Sequence, residues 1–594
     1  MKQKLFSLSA VTLHSGYLYE KQELNRRVTM SAVYDRFSET GRISAFDHAW
    51  KEGEPNKPHI FYDSDVAKWM EGAAYILQKH PEETLLRERV ESLIRAIEAH
   101  QGVDGYFNSY FTVCDPTGRF RVRDNHELYC AGHLTEAAVA YAEATGDERF
   151  LRCMEKYVDY IYRVFVEEES AAFFTPGHEE IELALIRLYR YTKREKYLAL
   201  SKHFLDRRGV MPSELNDYCQ SHMPVRRQRE AVGHAVRATY LYAAMADLAA
   251  ETGDREMAEA CRALFEDIAT HKMYVTGGIG STWVGEKFTS PYDLPNADAY
   301  AETCAAIGLA LFSTRMQQLD DSAVYADVAE RAFYNGALSG LSLDGKSFFY
   351  ENPLEITLAG HAPGVRRPIT QRVEYFSCSC CPPNLNRILP QLERSLFALE
   401  GDTLYVNQFA DATLSHGSIY CRMETDYPRS GQVKLTASGV GRIAVRLPSW
   451  SRHTETRPQN GRRRGQYLYF PNDGTPITVT FDMAPFLVYP NSRISDDAGK
   501  VCVQAGPIVY CAESVDNGAD LQELILPHGV DLRLVLNPAF GLPTVETIGR
   551  RVNHTDHLYT RARPSTSAAH IRLIPYSCFA NRGESDMRVW LRGS

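Results

Sequence analysis

Apolar residues recur at helical spacing through the first two thirds of the chain. The segment DVAKWMEGAAYILQK, 65–79, places Val66, Trp69, Met70, Ala73, Ala74 and Leu77 on one face, the spacing of an amphipathic helix. The same period runs through 84–97, 134–143, 150–165, 181–192, 195–207, 230–249, 255–270, 302–319 and 322–334. Short links such as TGDE at 145–148, TKRE at 192–195 and TGDR at 252–255 separate neighbours of similar length, so the helices read as repeated antiparallel hairpins. Such hairpins build either a superhelical solenoid or a closed (α/α) toroid of about six pairs. Long irregular inserts at 100–128, 208–229, 274–300 and 343–376 favour a ring with an elaborated mouth.

Beyond Glu393 the period switches to two. GQVKLTASGVGRIAVRLPSW, GTPITVTFDM, GKVCVQAGPIVYCAE and AAHIRLIPYSCF alternate β-branched or aromatic residues with polar ones between turn residues, the mark of half-buried strands. The expected organisation is a helical domain over 18–395 followed by two β-sandwich domains. The first covers 396–490, with a C-terminal strand in 585–594 returning to it. The second covers 491–584 and takes a strand from 6–17, with the border near Tyr489-Pro490-Asn491.

A chain of 594 residues exceeds a single ordinary core. Its 66 basic and 75 acidic residues give a formal charge of -9 with no basic stripe, which argues against nucleic acid or an anionic membrane as partner. No apolar run is long enough to span a bilayer, and the serine-broken N-terminus lacks the features of a secretory signal. Thirteen cysteines, odd in number and irregularly spaced, do not make a disulfide framework. A reducing cytoplasm is therefore expected. Flat sandwich faces would serve a homodimer, although the sequence does not separate it from a monomer.

Candidate chemistry concentrates in two runs. Cys378, Cys380 and Cys381 precede Pro382-Pro383-Asn384, and Glu302-Thr303-Cys304 adds a sulfur and a carboxylate. Zinc accepts four such donors. Glu302 and Cys304 can converge at the bent start of a helix, and Cys380 and Cys381 can reach one ion if a tight turn leads into the two prolines. The competing reading is that these cysteines are small buried hydrophobes, as the other singly spaced cysteines are read. A metal-bound thiolate facing a pocket would remain a nucleophile and would need a partner acid.

The stretch TGGIGSTWVGEKF, 276–288, supplies that acid candidate in Glu286 and a sugar-stacking face in Trp283. It is not a phosphate loop, because no preceding strand or Lys-Ser/Thr pair accompanies it. Histidines recur at loop-to-helix positions: His126, His133, His178 and His234, the last three each preceded by glycine. Each suits a sugar-binding imidazole or a helix cap equally well.

At HELYCAGHLTEA (126–137), GHEEIELALIRLYR (177–190), VGHAVRA (232–238), TGGIGSTWVGEKF, AYAETCAAIG (299–308) and CSCCPPN (378–384), the chain resembles glycoside hydrolase family 127, the β-L-arabinofuranosidase family. The resemblance spans nearly the whole chain, and the pairing of E-T-C with C-C-P-P-N is its most specific part. It implies an (α/α)6 barrel catalytic domain followed by β-sandwich domains, and a zinc ion held by Glu302, Cys304, Cys380 and Cys381. It further implies Cys380 as nucleophile, Glu286 of the G-E-x-F element as acid/base, and His126, His178, His234 and Tyr350 as furanose-binding residues. The implied reaction is retaining hydrolysis that releases L-arabinose. Alternatives are the same machinery acting on another furanose or a branched acidic sugar, a zinc hydrolase using metal-bound water, or a non-catalytic carbohydrate-binding protein.

Overall fold

The computed structural model describes residues 3–359 and 369–593, so part of the 343–376 insert lies outside the described residues. A helical N-terminal domain leads into β-rich C-terminal modules. Six inner helices carry the site: α1 Tyr62–Lys79, α2 Glu127–Thr145, α3 Ile181–Thr192, α4 Ala235–Thr252, α5 Thr303–Met316 and α6 Cys381–Ile388. Each packs on the next, and α6 returns to α1, closing a ring. The ring, not the solenoid, is the observed arrangement.

Sequence explains the two layers. Helices α2 and α4 are buried on nearly every face, whereas Arg149–Tyr162 in the outer layer buries one stripe: Phe150, Leu151, Met154, Tyr157, Val158 and Ile161. Gly146 and Gly253, at φ 74° and 73°, end α2 and α4 in the left-handed conformation, which stops each helix and turns the chain outward. The outer partner of α6 comes from the N-terminus, where Gly16–Leu24 and Met30–Glu39 pack near it. From sequence the opening residues show only a strand, because the helical period of 16–24 is weak: Tyr17 and Leu18 are its only buried side chains.

Close approach of α1 and α6 fixes the position of the cysteine run. A Cβ on Gly72 would stand 2.5 Å from the Asn386 carbonyl oxygen. Gly72→Ala is therefore expected to destabilise the fold by about 1–3 kcal/mol through overpacking, read as a lowered denaturation midpoint.

The β modules differ from expectation at both chain ends. In the first module the strands form two six-stranded sheets. Val11–Ser15 pairs with Asp411–His416 there, and Lys4–Leu5 pairs with Phe397–Glu400. The N-terminal strands thus join the first module, not the second. The C-terminal strand Leu591–Gly593 pairs with Lys500–Ala505 and Leu524–Leu526 in the second module, not the first. Alternation sets which face of a strand is buried but carries no record of its partner, so both assignments were open to exchange. Phe486–Val488 pairs with Lys500–Ala505, moving the border to before residue 486.

In the second module the pairing runs round a closed circuit from Lys500–Ala505 through Ile508–Glu513, Thr566–Pro575, Thr544–Val552, Leu524–Leu526 and Leu591–Gly593 to its start. Two separate sheets are not formed. This module backs the site loops: Glu355–Ile356 pairs with Met587–Arg588, Tyr576 donates to the Asn352 carbonyl at 2.9 Å, and Phe349 stacks on Phe579 at 5.0 Å. The first module docks through a buried cluster in which Tyr427 and Trp450 donate to Glu330 at 2.6 and 3.0 Å and Arg446 pairs with it at 2.6 Å. Among the described residues no helix is long and apolar enough to cross a membrane.

Candidate active site

Inner-helix starts gather the chemical groups at one end of the ring. Glu302 immediately precedes α5, and Cys304 lies in its first turn. Cys381 opens α6, with Pro382 and Pro383 at its start. The expected tight turn is instead a helix beginning, where the missing amide protons of two prolines cost nothing because first-turn amides have no intrahelical acceptor.

Four donor atoms converge there, all within 4.8 Å of one another. Cys304 Sγ lies 3.3 Å from Cys381 Sγ and 3.6 Å from Cys380 Sγ, and the adjacent sulfurs are 3.7 Å apart. Glu302 Oε1 is 3.4 Å from Cys380 Sγ and 3.6 Å from Cys381 Sγ. Zinc bonds of about 2.3 Å to sulfur and about 2.1 Å to oxygen give tetrahedral edges of about 3.8 and about 3.6 Å. The set has the size and donor types of such a site. Glu302 Oε2 is buried without a hydrogen-bond partner among the described residues, which leaves that carboxylate free to turn to a metal.

The four acids crowd one another. Burial, then Cys380 and Glu286, push the Glu302 carboxyl well up. Burial also raises Cys381, with Cys304 and Cys380 adding to it. Cys304 is raised by burial but brought down to about 6 by its hydrogen bonds with Cys380 and Cys381. A divalent cation reverses this balance, because its charge favours every ionised donor.

The two neighbouring cysteines are not equivalent. Cys381 is fully buried, while Cys380 is partly exposed and stands 3.1 Å from the Tyr350 hydroxyl. Burial and Cys380 hold Tyr350 well above the usual phenol range, so its O–H stays available to a thiolate. Cys378 is not one of the four converging donors but borders them: a hydrogen bond with Cys380, then burial, raises its thiol, and it stands 3.9 Å from the same hydroxyl. Glu351 is buried and accepts from the Ile369 amide at 3.3 Å.

Three histidine rings form a row, His126 to His178 at 5.6 Å and His178 to His234 at 5.7 Å. His126 Nδ1 donates to the Asp124 carbonyl and His178 Nδ1 to the Glu179 carbonyl, which makes each Nε2 an acceptor. Burial leads the causes that hold His126 down to about 3 and His178 well below the usual range, so both rings are neutral. His133 is fully buried in α2, edge-on to Tyr129 at 4.5 Å and 3.2 Å from Glu180. It stands outside the row.

His234 caps α4, its Nδ1 accepting from the Val236 amide at 3.2 Å. Nε2 therefore carries the proton and donates to Glu286 Oε2 at 2.7 Å. Glu286 lies in a tight turn where Thr282 bridges Lys287, at φ 54°; His126 sits at φ 59°. Ala301, directly before Glu302, is left-handed as well, at φ 39°, and such non-glycine residues are the strained backbone typical of functional sites. His234, Glu286 and Glu302 also offer ligand atoms within 4.8 Å of one another, so the acid and the thiol cluster share one pocket. Trp283, in the same turn, is 49% exposed.

Burial raises the Glu286 carboxyl, but hydrogen bonds from His234 and Tyr300, with Arg237 nearby, outweigh it and hold the group below its ordinary value. His234→Phe removes the main lowering contact and leaves the burial. The alkaline limb of kcat/KM is then expected to move to higher pH, because the protonated acid persists further; a pH profile on a poor leaving group reads this. Tyr300 was not singled out from the sequence. Nothing periodic marks it, because the backbone between Tyr300 and Glu302 turns left-handed at Ala301, φ 39°.

Comparison with known proteins places this arrangement. Residues 10–394 match the catalytic-domain model of glycoside hydrolase family 127, described as β-L-arabinofuranosidase, and residues 485–592 match the family's C-terminal domain. The chain belongs to glycoside hydrolase family 127. Among family 127 relatives, a non-reducing end β-L-arabinofuranosidase of Bifidobacterium longum subsp. longum is 35% identical over 588 residues, covering 90% of this chain and 89% of its own. The crystal structure of a family 127 β-L-arabinofuranosidase from Geobacillus stearothermophilus T6 superposes with a TM-score of 0.93 at 38% identity, covering 98% of this chain and all of that one. A second family 127 β-arabinofuranosidase structure gives 0.91 at 32% identity, covering 100% of this chain and 98% of its own.

Proposed function

We propose that this family 127 hydrolase removes terminal β-L-arabinofuranosyl groups with retention of configuration, using Cys380 as nucleophile and Glu286 as acid/base. The observation that carries the reading is the placement of Cys380: one sulfur belongs to the four-donor cluster and also reaches toward the pocket beside Tyr350. The ring of six inner helices is read as an (α/α)6 barrel, with the cluster at its mouth.

Zinc bound by Glu302, Cys304, Cys380 and Cys381 would keep the sulfurs ionised and temper their basicity. His126 and His178, each with an accepting Nε2, orient the furanose through its hydroxyl groups, while His234, both of whose nitrogens are engaged, holds Glu286 against the sugar, with Tyr350 beside the reacting sulfur and Trp283 at the rim. In the first displacement Cys380 Sγ forms a bond to the anomeric carbon as its bond to the leaving oxygen breaks, and Glu286 gives that oxygen a proton. In the second, Glu286 takes a proton from water, the water oxygen bonds to the anomeric carbon, and the sulfur departs. Two inversions leave the configuration unchanged. Glycosidases ordinarily place a second carboxylate about 5–5.5 Å from the first for this purpose; here the sulfur takes that part. Thirteen unpaired cysteines fit a reducing compartment, and the cytoplasm is the location we infer.

Metal content and product release test this reading together. Purified protein is expected to hold one zinc per chain by elemental mass spectrometry and to free L-arabinose from an aryl β-L-arabinofuranoside but not from its α-anomer. Stripping the metal with a chelator should expose additional thiols to a disulfide reagent and stop turnover, and zinc should restore it. Full activity in verified metal-free protein would overturn the zinc assignment.

A further inference from the structure

We propose that Tyr218, Trp283 and Val284 form a leaving-group subsite that takes a ring-bearing aglycone, a second sugar ring presenting its C–H face. The inference rests on the assignment of Glu286 as acid. A general acid must lie within hydrogen-bond reach of the leaving oxygen, so the departing group extends from the anomeric carbon past Glu286 toward solvent. The side chains that line that exit are those beside Glu286 on its exposed flank.

Three large apolar side chains hold that place. Trp283 and Val284 belong to the turn that carries Glu286 and are 49% and 54% exposed; Tyr218 is 37% exposed. The Glu286 amide donates to the Trp283 carbonyl at 3.3 Å, which locks the turn. Tyr218 packs against it from the 208–229 insert: a Cβ built on Gly285 would lie 3.7 Å from the Tyr218 ring. The Tyr218 carbonyl accepts from the His234 amide at 3.2 Å, and its ring centroid stands 5.7 Å from that of His234.

The ring of Tyr218 is pinned from behind. Arg237, itself buried, lies 4.3 Å over its face, and that guanidinium is committed to Asp124 at 3.2 Å and to the Gly177 carbonyl at 2.5 Å. The Arg237 cation is thus engaged by partners of its own, and the exposed cation at this rim is Lys287, whose Cδ would lie 3.7 Å from the same Gly285 Cβ. Single exposed apolar residues are ordinary on a protein surface. Three of them flanking one acid, two aromatic and one held by a stacked guanidinium, suit a sugar's apolar face, which rests on aromatic rings.

The test compares two substrates that share the β-L-arabinofuranosyl group, a disaccharide and the methyl glycoside, in wild-type enzyme, Tyr218→Ala and Trp283→Ala. The ratio of kcat/KM for disaccharide over methyl glycoside is expected to fall about tenfold in each variant, the loss of one aromatic contact. Circular dichroism and zinc content establish that the variants fold. Equal losses on both substrates would overturn the subsite, since the residues would then act on the common sugar or on the fold; an unchanged ratio with unchanged rates would overturn it too. If wild-type protein cleaves neither compound, the β-L-arabinofuranosidase reading fails instead, so the two failures are distinct.

Discussion

Cys380→Ala is expected to abolish turnover of β-L-arabinofuranosides, lowering kcat by a factor of about 10⁴ or more, the scale on which removal of a covalent nucleophile is felt. The substitution removes a cluster donor as well as the reacting sulfur, so metal loss alone could mimic the result. Cys381→Ala separates the two effects. Cys381 is a buried donor in the same cluster but lacks the contact with Tyr350. With saturating zinc, Cys381→Ala should regain a measurable fraction of its activity, whereas Cys380→Ala should stay inactive at any zinc concentration. Parallel steady-state assays and metal analysis check this. Equal recovery of both variants would mean that the sulfur of Cys380 serves only as a ligand.

The second large effect is expected at Glu286. Glu286→Gln keeps the shape of the His234 contact, although the carboxamide cannot donate its proton as an acid. Hydrolysis of alkyl and sugar leaving groups should fall about 10³-fold, within the range of a lost general acid, while aryl groups of low pKa, which leave unassisted, should suffer much less in the first step. The second step still lacks its base, so the glycosylated enzyme should accumulate on aryl substrates. Azide, a nucleophile that needs no deprotonation, should then rescue turnover and give a glycosyl azide of β-configuration. A uniform loss across leaving groups without azide rescue would remove Glu286 from the acid/base role and leave it as a partner of His234.

The sequence carried the site further than it carried the fold. Glu302 and Cys304 were expected at a bent helix start, and Glu302 does immediately precede α5. Their spacing of two across a helix boundary is legible because an extended residue followed by a first turn brings both side chains round. Cys380 and Cys381 were harder. Two prolines after a cysteine pair suggest a turn, yet they equally suit the first turn of a helix, and only the packing of Gly72 against Asn386 shows which was chosen. His126 and His133 are seven residues apart on a helical repeat that places them on similar faces. Their difference in depth, one at the helix cap and one two turns inside, depends on where α2 begins. Tyr129, whose ring centroid lies 4.0 Å from that of His178, was passed over because an aromatic in an apolar helix reads as core.

Strand partnership was the least legible feature. The segments at 11–15 and 591–593 alternate correctly for strands, yet neither names its module, since Val11 pairs with Leu414 and Arg592 with Lys500 and Ile525, all far along the chain and without a local signal. The closure of the second module's strands into a circuit follows from a parallel contact between Leu524–Leu526 and Leu591–Gly593, which no turn chemistry announces.

The most direct measurement is peptide mapping of a trapped intermediate. Wild-type protein would be reacted with a 2-deoxy-2-fluoro β-L-arabinofuranoside bearing an activated leaving group, digested, and sequenced by tandem mass spectrometry. The predicted result is a single fluoropentosyl adduct carried by the sulfur of Cys380. An adduct on Glu286, Glu302 or any other side chain would contradict the thiolate route, as would a product of inverted configuration formed with no adduct at all.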